Sequence, residues 1–265
     1  MTEYKTRILS TRPLEAALLE QAASRGILID TLSFIATEAL ADEALQQRIR
    51  DLSRQPLVAV FTSMNAVEAV ARHLEAVGAH QGVARSSGSH PGTLPWRIFC
   101  IGSATQQLVR ENFGDDCIAG TAASAAALAG TIISRRIPET EQLIDTKDAA
   151  PVREVFFFCG DQRRDELPEK LQQQGIRVNE LVVYRTLRTP HNVEPVYDGV
   201  VFFSPSAVHS FFTVNSLPAG TLLFAIGQTT ADTIRSYTSN RTIVSGSPEK
   251  EALIRQVIDY YNIKP

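Results

Sequence analysis

The sequence predicts an α/β protein with two similar domains, each a parallel sheet flanked by helices. Two observations lead to this prediction. Apolar runs typical of buried strands alternate with segments of helical periodicity along the chain. The two halves of the chain also resemble each other, and repeated βα units form parallel sheets whose faces are covered by helices. A chain of 265 residues is long enough for two domains of ordinary size.

The first pair of repeated segments predicts a strand, a turn and the start of a helix in each half. "IFCIGSATQQLV" is similar to "LFAIGQTTADTI". Gly227 follows Gly102 by 125 positions, and Thr230 follows Thr105 by the same number. Because glycine and threonine keep their places relative to the apolar run, we interpret the two segments as copies of one structural unit.

Two further pairs of segments extend the repeat. Ser63 in "VFTSMNAV" corresponds to Ser204 in "FFSPSAV", which lies 141 positions later. Gly26 in "LLEQAASRGILIDTLSF" corresponds to Gly175 in "LPEKLQQQGIRVNELVV", where it is expected to end a helix. The larger spacing of the serines predicts an insertion of 16 residues in the first copy, as 141 exceeds 125 by 16. We expect it within segment 78–96, which is rich in Gly, Ser and Pro and therefore predicts a loop.

Short polar segments, which we call tips, follow six of the apolar runs. The carboxyl ends of parallel strands share one edge of a sheet, and ligands bind at that edge. Free N–H groups at helix N-termini, together with Ser, Thr and Asn side chains, bind anions such as carboxylates. One such tip alone is better explained as a helix cap, but six tips in two halves favour a binding surface. In chain order the tips are Ser10-Thr11-Arg12, Thr62-Ser63-Met64-Asn65, Gly102-Ser103-Ala104-Thr105, Gly160-Asp161, Ser204-Pro205-Ser206 and Gly227-Gln228-Thr229-Thr230.

Composition excludes several classes of protein. The chain is 44% hydrophobic and 21% charged, and a net charge of −3 predicts no basic surface for nucleic acid or membrane. No apolar run reaches the roughly 20 residues of a membrane helix, and the first residues lack the apolar core of a signal peptide. Cys100, Cys117 and Cys159 show no CxxC spacing, which indicates reduced thiols and a cytoplasmic protein.

Common catalytic and cofactor motifs are missing from the sequence. Neither GxGxxG nor GxxxxGK[ST] follows a predicted strand, and there is no GxSxG nucleophile motif. The five histidines are scattered, so no metal site is predicted. Arg163-Arg164 is the one basic doublet at a tip. The doublet is consistent both with a substrate-binding pair of cations and with an exposed, charged helix start.

Six segments in the same order resemble the uroporphyrinogen-III synthase family. The resemblance covers nearly the whole chain and departs from the family at Gln228, where proline is frequent, at Ala66, where glycine is frequent, and in the longer loop at 78–96. The segments are "LSTRP", "VFTSMNAV", "IGSAT", "FCGDQRRDELPEKLQQQGIRVNELVVYRT", "FFSPSAV" and "AIGQTTADTI".

The resemblance implies two α/β domains joined by a two-stranded linker, with the chain crossing twice between them. The first domain is expected to contain residues 1–31 and 190–265. The second is expected to contain residues 34–182. The crossings are expected near 32–36 and 182–189.

The resemblance also implies an enzyme, a lyase of heme biosynthesis that cyclises hydroxymethylbilane to uroporphyrinogen III. The reaction expels a hydroxyl group as water, inverts the last pyrrole ring through a spiro intermediate and closes the macrocycle, with no cofactor and no metal. The expected partner is one small-molecule substrate, a linear tetrapyrrole with many carboxylates. We expect a cytoplasmic monomer that binds neither nucleic acid nor a membrane.

The resemblance and the polar tips together indicate the candidate site residues. Tyr184 matches a family tyrosine that is a candidate for assisting the loss of hydroxide, although a packing role for its ring is equally compatible with the sequence. The expected substrate-binding residues are Thr11, Arg12, Ser63, Asn65, Ser103, Thr105, Gly160, Ser204, Ser206, Ala207, Gly227, Thr229 and Thr230. A two-domain cytoplasmic binding protein without catalysis would share these features and is the alternative function.

Overall fold

The computed structural model of the protein contains two compact units of the chain. Unit 1 consists of Met1–Ala36 and Thr186–Pro265, and unit 2 of Thr37–Arg185. The chain therefore passes from unit 1 to unit 2 after Ala36 and returns after Arg185. No helix within the described ranges is both long and apolar enough to cross a membrane. The structure describes residues 4–80, 94–135, 152–194, 196–247 and 249–263.

Strands and helices alternate along most of the chain. In chain order the elements are β1 (Thr6–Ser10), α1 (Ala16–Ala23), β2 (Ile27–Thr31), β3 (Ile35–Ala39), α2 (Glu43–Ser53), β4 (Leu57–Phe61), α3 (Met64–His80), β5 (Trp96–Ile101), α4 (Gly102–Phe113), β6 (Ile118–Ala122), α5 (Ala125–Ile133), β7 (Glu154–Gly160), α6 (Glu166–Gln173), β8 (Arg177–Arg188), β9 (Gly199–Phe202), α7 (Pro205–Phe211), β10 (Leu222–Ala225), α8 (Gln228–Arg235), β11 (Thr242–Val244) and α9 (Lys250–Ile263).

The sheet of unit 1 has the order β11-β10-β9-β1-β2, and its neighbouring strands are parallel. Successive residues of a strand point to opposite faces. In β1, Ile8 packs with α1 and α9 on one face, whereas Leu9 packs with α7 and α8 on the other. Because both faces are covered, the inner strands β9 and β10 contain only apolar residues and glycine.

The sheet of unit 2 has the order β3-β8-β7-β4-β5-β6, and β8, β7, β4, β5 and β6 are parallel. Phe158 packs with helices α2, α3 and α4, and Phe157 packs with α5 and α6. The prediction of an α/β protein with parallel sheets flanked by helices is therefore confirmed.

The internal repeat corresponds to equivalent strand positions in the two sheets. The order β2-β1-β9-β10-β11 in unit 1 matches β8-β7-β4-β5-β6 in unit 2, and each repeated segment follows the equivalent strand. Gly26 and Gly175 both have a φ of +72°, in the left-handed region that favours glycine, and each follows a helix. The Gly175 N–H donates to the carbonyl oxygen of Gln172 at 2.9 Å, which confirms the predicted helix end.

The loop predicted over 78–96 is shorter in the structure, because the preceding helix and the following strand include its first and last residues. Helix α3 continues to His80, because Gly78 is followed by alanine, a strong helix former, and a single glycine does not end a helix. Strand β5 already begins at Trp96, which is buried and whose indole N–H donates to the carbonyl of Leu52 at 2.9 Å. Residues 81–93 of this segment lie outside the described residues.

Strands β3 and β8, which carry the chain out of and back into unit 1, are neighbours. The Leu40 N–H donates to the Val183 carbonyl, and the Thr189 N–H donates to the Phe34 carbonyl, both at 3.0 Å. Between these two bonds the first segment advances by six residues, from Phe34 to Leu40, while the second goes back by six residues, from Thr189 to Val183. The pair is therefore antiparallel, and it forms the two-stranded linker implied by the resemblance.

His73 of α3 is buried beside the end of β3. Its side chain hydrogen-bonds the backbone of Leu40, and its Nε2 has no partner within the described residues. Burial lowers the pKa of His73, because a protonated ring would bring a second, unpaired N–H into an apolar environment. Protonation of this residue therefore opposes folding.

We expect the free energy of unfolding to fall as the pH decreases below about 6.5, the ordinary pKa of histidine. In this range the unfolded chain binds a proton at His73 and the folded chain does not, so stability is lost until the pH reaches the lower folded pKa. His73→Asn keeps a side-chain N–H but does not titrate, so its unfolding free energy should depend less on pH. Urea unfolding between pH 7.5 and 5 measures this difference, with exposed His191→Asn as control. An equal pH dependence in His73→Asn and wild type would contradict the expectation.

Candidate functional site

The six predicted tips all follow the carboxyl ends of parallel strands. In unit 1 they follow β1, β9 and β10, and in unit 2 they follow β4, β5 and β7. Each unit therefore has one sheet edge with small polar residues. The tips differ in how far their side chains are engaged in hydrogen bonds within the protein.

Tyr184 brings two tips of unit 2 together. It lies in β8, and its phenolic O–H donates to the hydroxyl oxygen of Ser63 at 3.2 Å. Its ring lies against the backbone of Gly160, where a Cβ atom would be only 2.5 Å from the tyrosine Cζ. The Asp161 N–H also donates to the Tyr184 carbonyl at 3.1 Å. Ser63, Gly160 and Tyr184 therefore form one contiguous group, which we call the phenol group.

The Ser63 hydroxyl is an acceptor in two hydrogen bonds. Besides the bond from Tyr184, it accepts the backbone N–H of Asn65 at 3.2 Å at the start of α3. A hydroxyl has one hydrogen and two lone pairs, so both acceptor positions are used and the hydrogen remains for another partner. Ser63 and Asn65 are half-buried, so both are within reach of a ligand at this edge.

Helices α4 and α8 start without a side-chain cap. Their N-cap residues, Ile101 and Gly227, form no side-chain cap hydrogen bond. Thr105 is 6% exposed and Thr230 is 3% exposed, each within the first turn or two of its helix. Ser103 and Thr229 are exposed in the same turns. The free N–H groups and the positive end of the helix dipole at each start favour an anion.

Other predicted binding groups are used inside unit 1. The Thr11 hydroxyl is buried and donates to the Val201 carbonyl at 2.8 Å, which joins β1 to β9. Ser204 is the N-cap of α7 and accepts the N–H of Ala207 at 3.2 Å. The hydroxyl hydrogen of Thr11 and the N–H of Ala207 are therefore engaged within the protein, and the capping explanation holds for Ser204. Ser206 is half-buried in the first turn of α7.

The two arginines of the doublet, Arg163 and Arg164, have different environments. Arg163 forms ion pairs with Asp165 and Glu180, and the hydrogen bond to Asp165 is the main reason that the pKa of Arg163 is raised. Arg164 is exposed and forms no ion pair with any residue that the structure describes. In unit 1, Arg12 is exposed in the same way at the tip of β1. Each sheet edge thus has one arginine available for a carboxylate.

The phenol group was not predicted from the sequence, although each of its members was singled out. Strands β7 and β8 pair in regular register up to Cys159 and Val182, and the next pair is Gly160 with Tyr184. This irregularity brings the tyrosine next to the glycine. A glycine that ends an apolar strand, followed by a strand that contains a tyrosine, is the available sequence signal, but the register shift itself has no such signal.

The structure has no metal-binding cluster in the ranges it describes. No group of three or more His, Cys, Asp or Glu side chains there is arranged to hold a metal ion.

The chain is similar to known proteins of one family. The model of the family described as "Uroporphyrinogen-III synthase HemD" matches residues 16–255. The chain is 26% identical over 185 residues to the uroporphyrinogen-III synthase of Saccharomyces cerevisiae, with 63% of this chain and 65% of the relative aligned. It is 27% identical over 177 residues to that of Schizosaccharomyces pombe, with 62% of each aligned. The chain thus spans just under two thirds of the length of these curated relatives.

Two solved structures share the fold. The uroporphyrinogen-III synthetase of Helicobacter pylori aligns with a TM-score of 0.61 at 14% identity, covering 96% of this chain and 99% of that one. A mutant uroporphyrinogen III synthase of the bacterium Thermus thermophilus aligns with a TM-score of 0.56 at 15% identity, covering 98% and 100%. Together with the family match over most of its length, these similarities show that the chain belongs to the uroporphyrinogen-III synthase family.

Proposed function

We propose that this protein is a uroporphyrinogen-III synthase, a lyase that cyclises hydroxymethylbilane to uroporphyrinogen III with loss of water and inversion of the last pyrrole ring. Family membership supports the reaction. The observation that carries the proposal is the uncapped helix start with a buried threonine, Thr105 in unit 2 and Thr230 in unit 1. The same arrangement in both units suits a substrate with many carboxylates.

Carboxylates of the substrate are bound chiefly by neutral donors. The free N–H groups of α4 and α8 and the hydroxyls beside them donate to carboxylate oxygens. Neutral donors also limit ground-state binding, which leaves interaction energy for the transition state. The proposed binding residues are Arg12, Ser63, Asn65, Ser103, Thr105, Arg164, Ser204, Ser206, Gly227, Thr229 and Thr230. Thr11 and Ala207 are left out because their donors are engaged, and Gly160 is in contact with Tyr184 instead.

Tyr184 assists the departure of the hydroxyl group. Its phenol is half-buried and directed at Ser63 by a hydrogen bond. The phenol donates its proton to the hydroxyl of the substrate as the C–O bond breaks, and water leaves. Holding the two ends of the linear tetrapyrrole together then supplies much of the remaining acceleration. No cofactor and no metal take part in the proposed reaction.

The proposed organisation follows the same reasoning. We propose that units 1 and 2 correspond to the two domains predicted over 1–31 with 190–265 and over 34–182, and that the protein acts as a monomer in the cytoplasm. The cysteines support a reducing compartment. All three are free and buried, and burial raises the pKa of Cys100 to about 11, so the thiol is protonated and unreactive.

The decisive experiment is to incubate the purified protein with hydroxymethylbilane and to identify the uroporphyrinogen isomer after oxidation and chromatography. Isomer III is expected, and dialysis against a chelator followed by desalting should leave the rate unchanged. Spontaneous closure without ring inversion gives the other isomer. Binding of hydroxymethylbilane without formation of isomer III would favour the non-catalytic binding protein.

Replacing Tyr184 by phenylalanine removes one hydroxyl and keeps the ring. We expect kcat to fall towards the lower end of the general-acid range of about 10²–10⁴-fold, because a hydroxymethylpyrrole loses water readily once it is held. Steady-state kinetics with circular dichroism measures the change in rate and verifies the fold. Tyr237→Phe, which also removes a tyrosine hydroxyl but from an exposed site in unit 1, is the control. Full activity in Tyr184→Phe would exclude the acid role.

Replacing Thr105 or Thr230 by alanine removes a hydroxyl that we propose to bind a carboxylate. Each charge-assisted hydrogen bond is worth about 1–3 kcal/mol, so KM should rise by about 5–150-fold and by more than kcat falls. Serine in either position keeps the hydroxyl and should restore KM.

The matched control for the threonine variants is Thr221→Ala. Thr221 is equally buried, but it precedes β10 and its hydroxyl donates to the Tyr197 carbonyl at 3.1 Å. This variant should lose stability without a change in KM. Unchanged KM values in both Thr105→Ala and Thr230→Ala would place the substrate elsewhere.

A further inference from the structure

We propose that Gly160 and Ser63 are positioning residues for the phenol of Tyr184, and that the Ser63 hydroxyl also stabilises the phenolate that forms when Tyr184 gives up its proton. The first part concerns the free protein. The second part rests on the function proposed above.

Gly160 provides the space in which the tyrosine ring lies. An added Cβ atom would be 2.5 Å from Cζ, 2.6 Å from Cε2 and 2.8 Å from the phenolic oxygen of Tyr184, and heavy atoms do not approach so closely. The backbone of Gly160 does not have a positive φ. Glycine is therefore not required by the backbone conformation at this position. The space for the ring is the remaining reason for it.

Two backbone features fix the ring over Gly160. The register shift after Cys159 pairs Gly160 with Tyr184, and the Asp161 N–H donates to the tyrosine carbonyl at 3.1 Å. The side chain and the main chain of Tyr184 are thus both held by the end of β7. The phenolic oxygen can move little before it meets the glycine backbone on one side and Ser63 on another.

Ser63 holds the phenolic O–H from the other side. It accepts the tyrosine O–H at 3.2 Å and the Asn65 N–H at 3.2 Å, so its own hydrogen points away from both. To reach the hydroxyl of the substrate, the phenolic hydrogen first turns away from Ser63, and the bond to Ser63 loses its hydrogen. The serine O–H can then rotate and donate to the tyrosine oxygen, which it could not do while the phenol donated to it, and this bond is strongest once that oxygen is a phenolate.

The proton balance of this step is complete. The Tyr184 proton goes to the substrate oxygen, the C–O bond breaks with its electron pair, and water and a substrate cation result. Closure of the macrocycle forms a carbon–carbon bond and releases one proton, which returns to the phenolate. Ser63 keeps its proton throughout and changes only the direction in which it donates. Donation to an anion is stronger than donation to a neutral oxygen, so Ser63 contributes mainly in the transition state.

The positioning by Gly160 is tested without substrate. Gly160→Ala should lower the urea midpoint of unfolding, because the new methyl group displaces the ring. In a Tyr184→Ala background the methyl group has room, so the same substitution should have little effect on the midpoint. Gly120→Ala is the matched control, since its Cβ would lie 2.9 Å from Phe99 and not near Tyr184. It should lower the midpoint equally in both backgrounds. An equal effect of Gly160→Ala in both backgrounds would overturn the positioning role of Gly160.

The catalytic consequence is tested by steady-state kinetics. Gly160→Ala should lower kcat by about the same factor as Tyr184→Phe with little change in KM, and the double variant should be no slower than either single one. Gly120→Ala should leave kcat unchanged.

For Ser63, alanine should lower kcat and threonine, which keeps the hydroxyl, should restore it. In the Tyr184→Phe background Ser63→Ala should have no further effect on kcat, since the phenolate is absent. A loss of rate by Ser63→Ala that is the same in both backgrounds would overturn the phenolate role. Absence of isomer III from the wild type would overturn the proposed function and the phenolate role with it. The urea midpoints of Gly160→Ala in the wild-type and Tyr184→Ala backgrounds would still decide the positioning role of Gly160.

Discussion

Burial of the central strands on both faces is the constraint on which the rest of each unit depends. All residues of β9 and the last three residues of β4 are inaccessible to water, including Val200 and Val201 in unit 1 and Val60 and Phe61 in unit 2. An unpaired polar side chain cannot be placed there without a cost of about 1–3 kcal/mol. In these strands polar chemistry is therefore confined to the residues that follow them, and all parallel strands of a sheet end at the same edge. Tyr184, which lies within β8, joins this edge through its contacts with Gly160 and Ser63. The candidate site is a consequence of this confinement.

Much of the fold follows from the sequence because the repeat and the apolar runs are both local patterns. The correspondence of Gly26 with Gly175 predicted two equivalent helix ends, and both glycines have the same left-handed φ. The limits of the 78–96 loop were less predictable. Gly78 lies in a helix against the usual local preference, whereas Trp96 favours a strand by type but follows a segment rich in Gly, Ser and Pro. Tertiary contacts decide such positions.

The candidate site was predicted as a set of residues but not as an arrangement. Sequence can name hydroxyls at strand ends, but it does not show whether a hydroxyl is a cap, a link between strands or a free donor. Ser204 caps α7 and Thr11 links two strands, whereas Thr105 and Thr230 lie on helices without caps. The contact of Tyr184 with Gly160 depends on one register shift between two strands, and such shifts arise from packing that no short motif encodes.

Helices that follow equivalent strands in the two units start in the same way, and this similarity is relevant to ligand binding. The helices after β4 and β9 begin with a serine whose hydroxyl accepts a backbone N–H, and those strands occupy equivalent places in the two sheets. The helices after β5 and β10, which are also equivalent, begin without a side-chain cap. Helices α1 and α6, a third equivalent pair, also begin without a side-chain cap hydrogen bond. A missing cap costs about 1 kcal/mol of helix stability, and α4 and α8 differ from α1 and α6 in the buried threonine near their start. An anion that accepts the free N–H groups would replace the missing caps, and a polycarboxylate offers such acceptors to both units. The stability that the free helices lack would then be regained on binding of the proposed substrate.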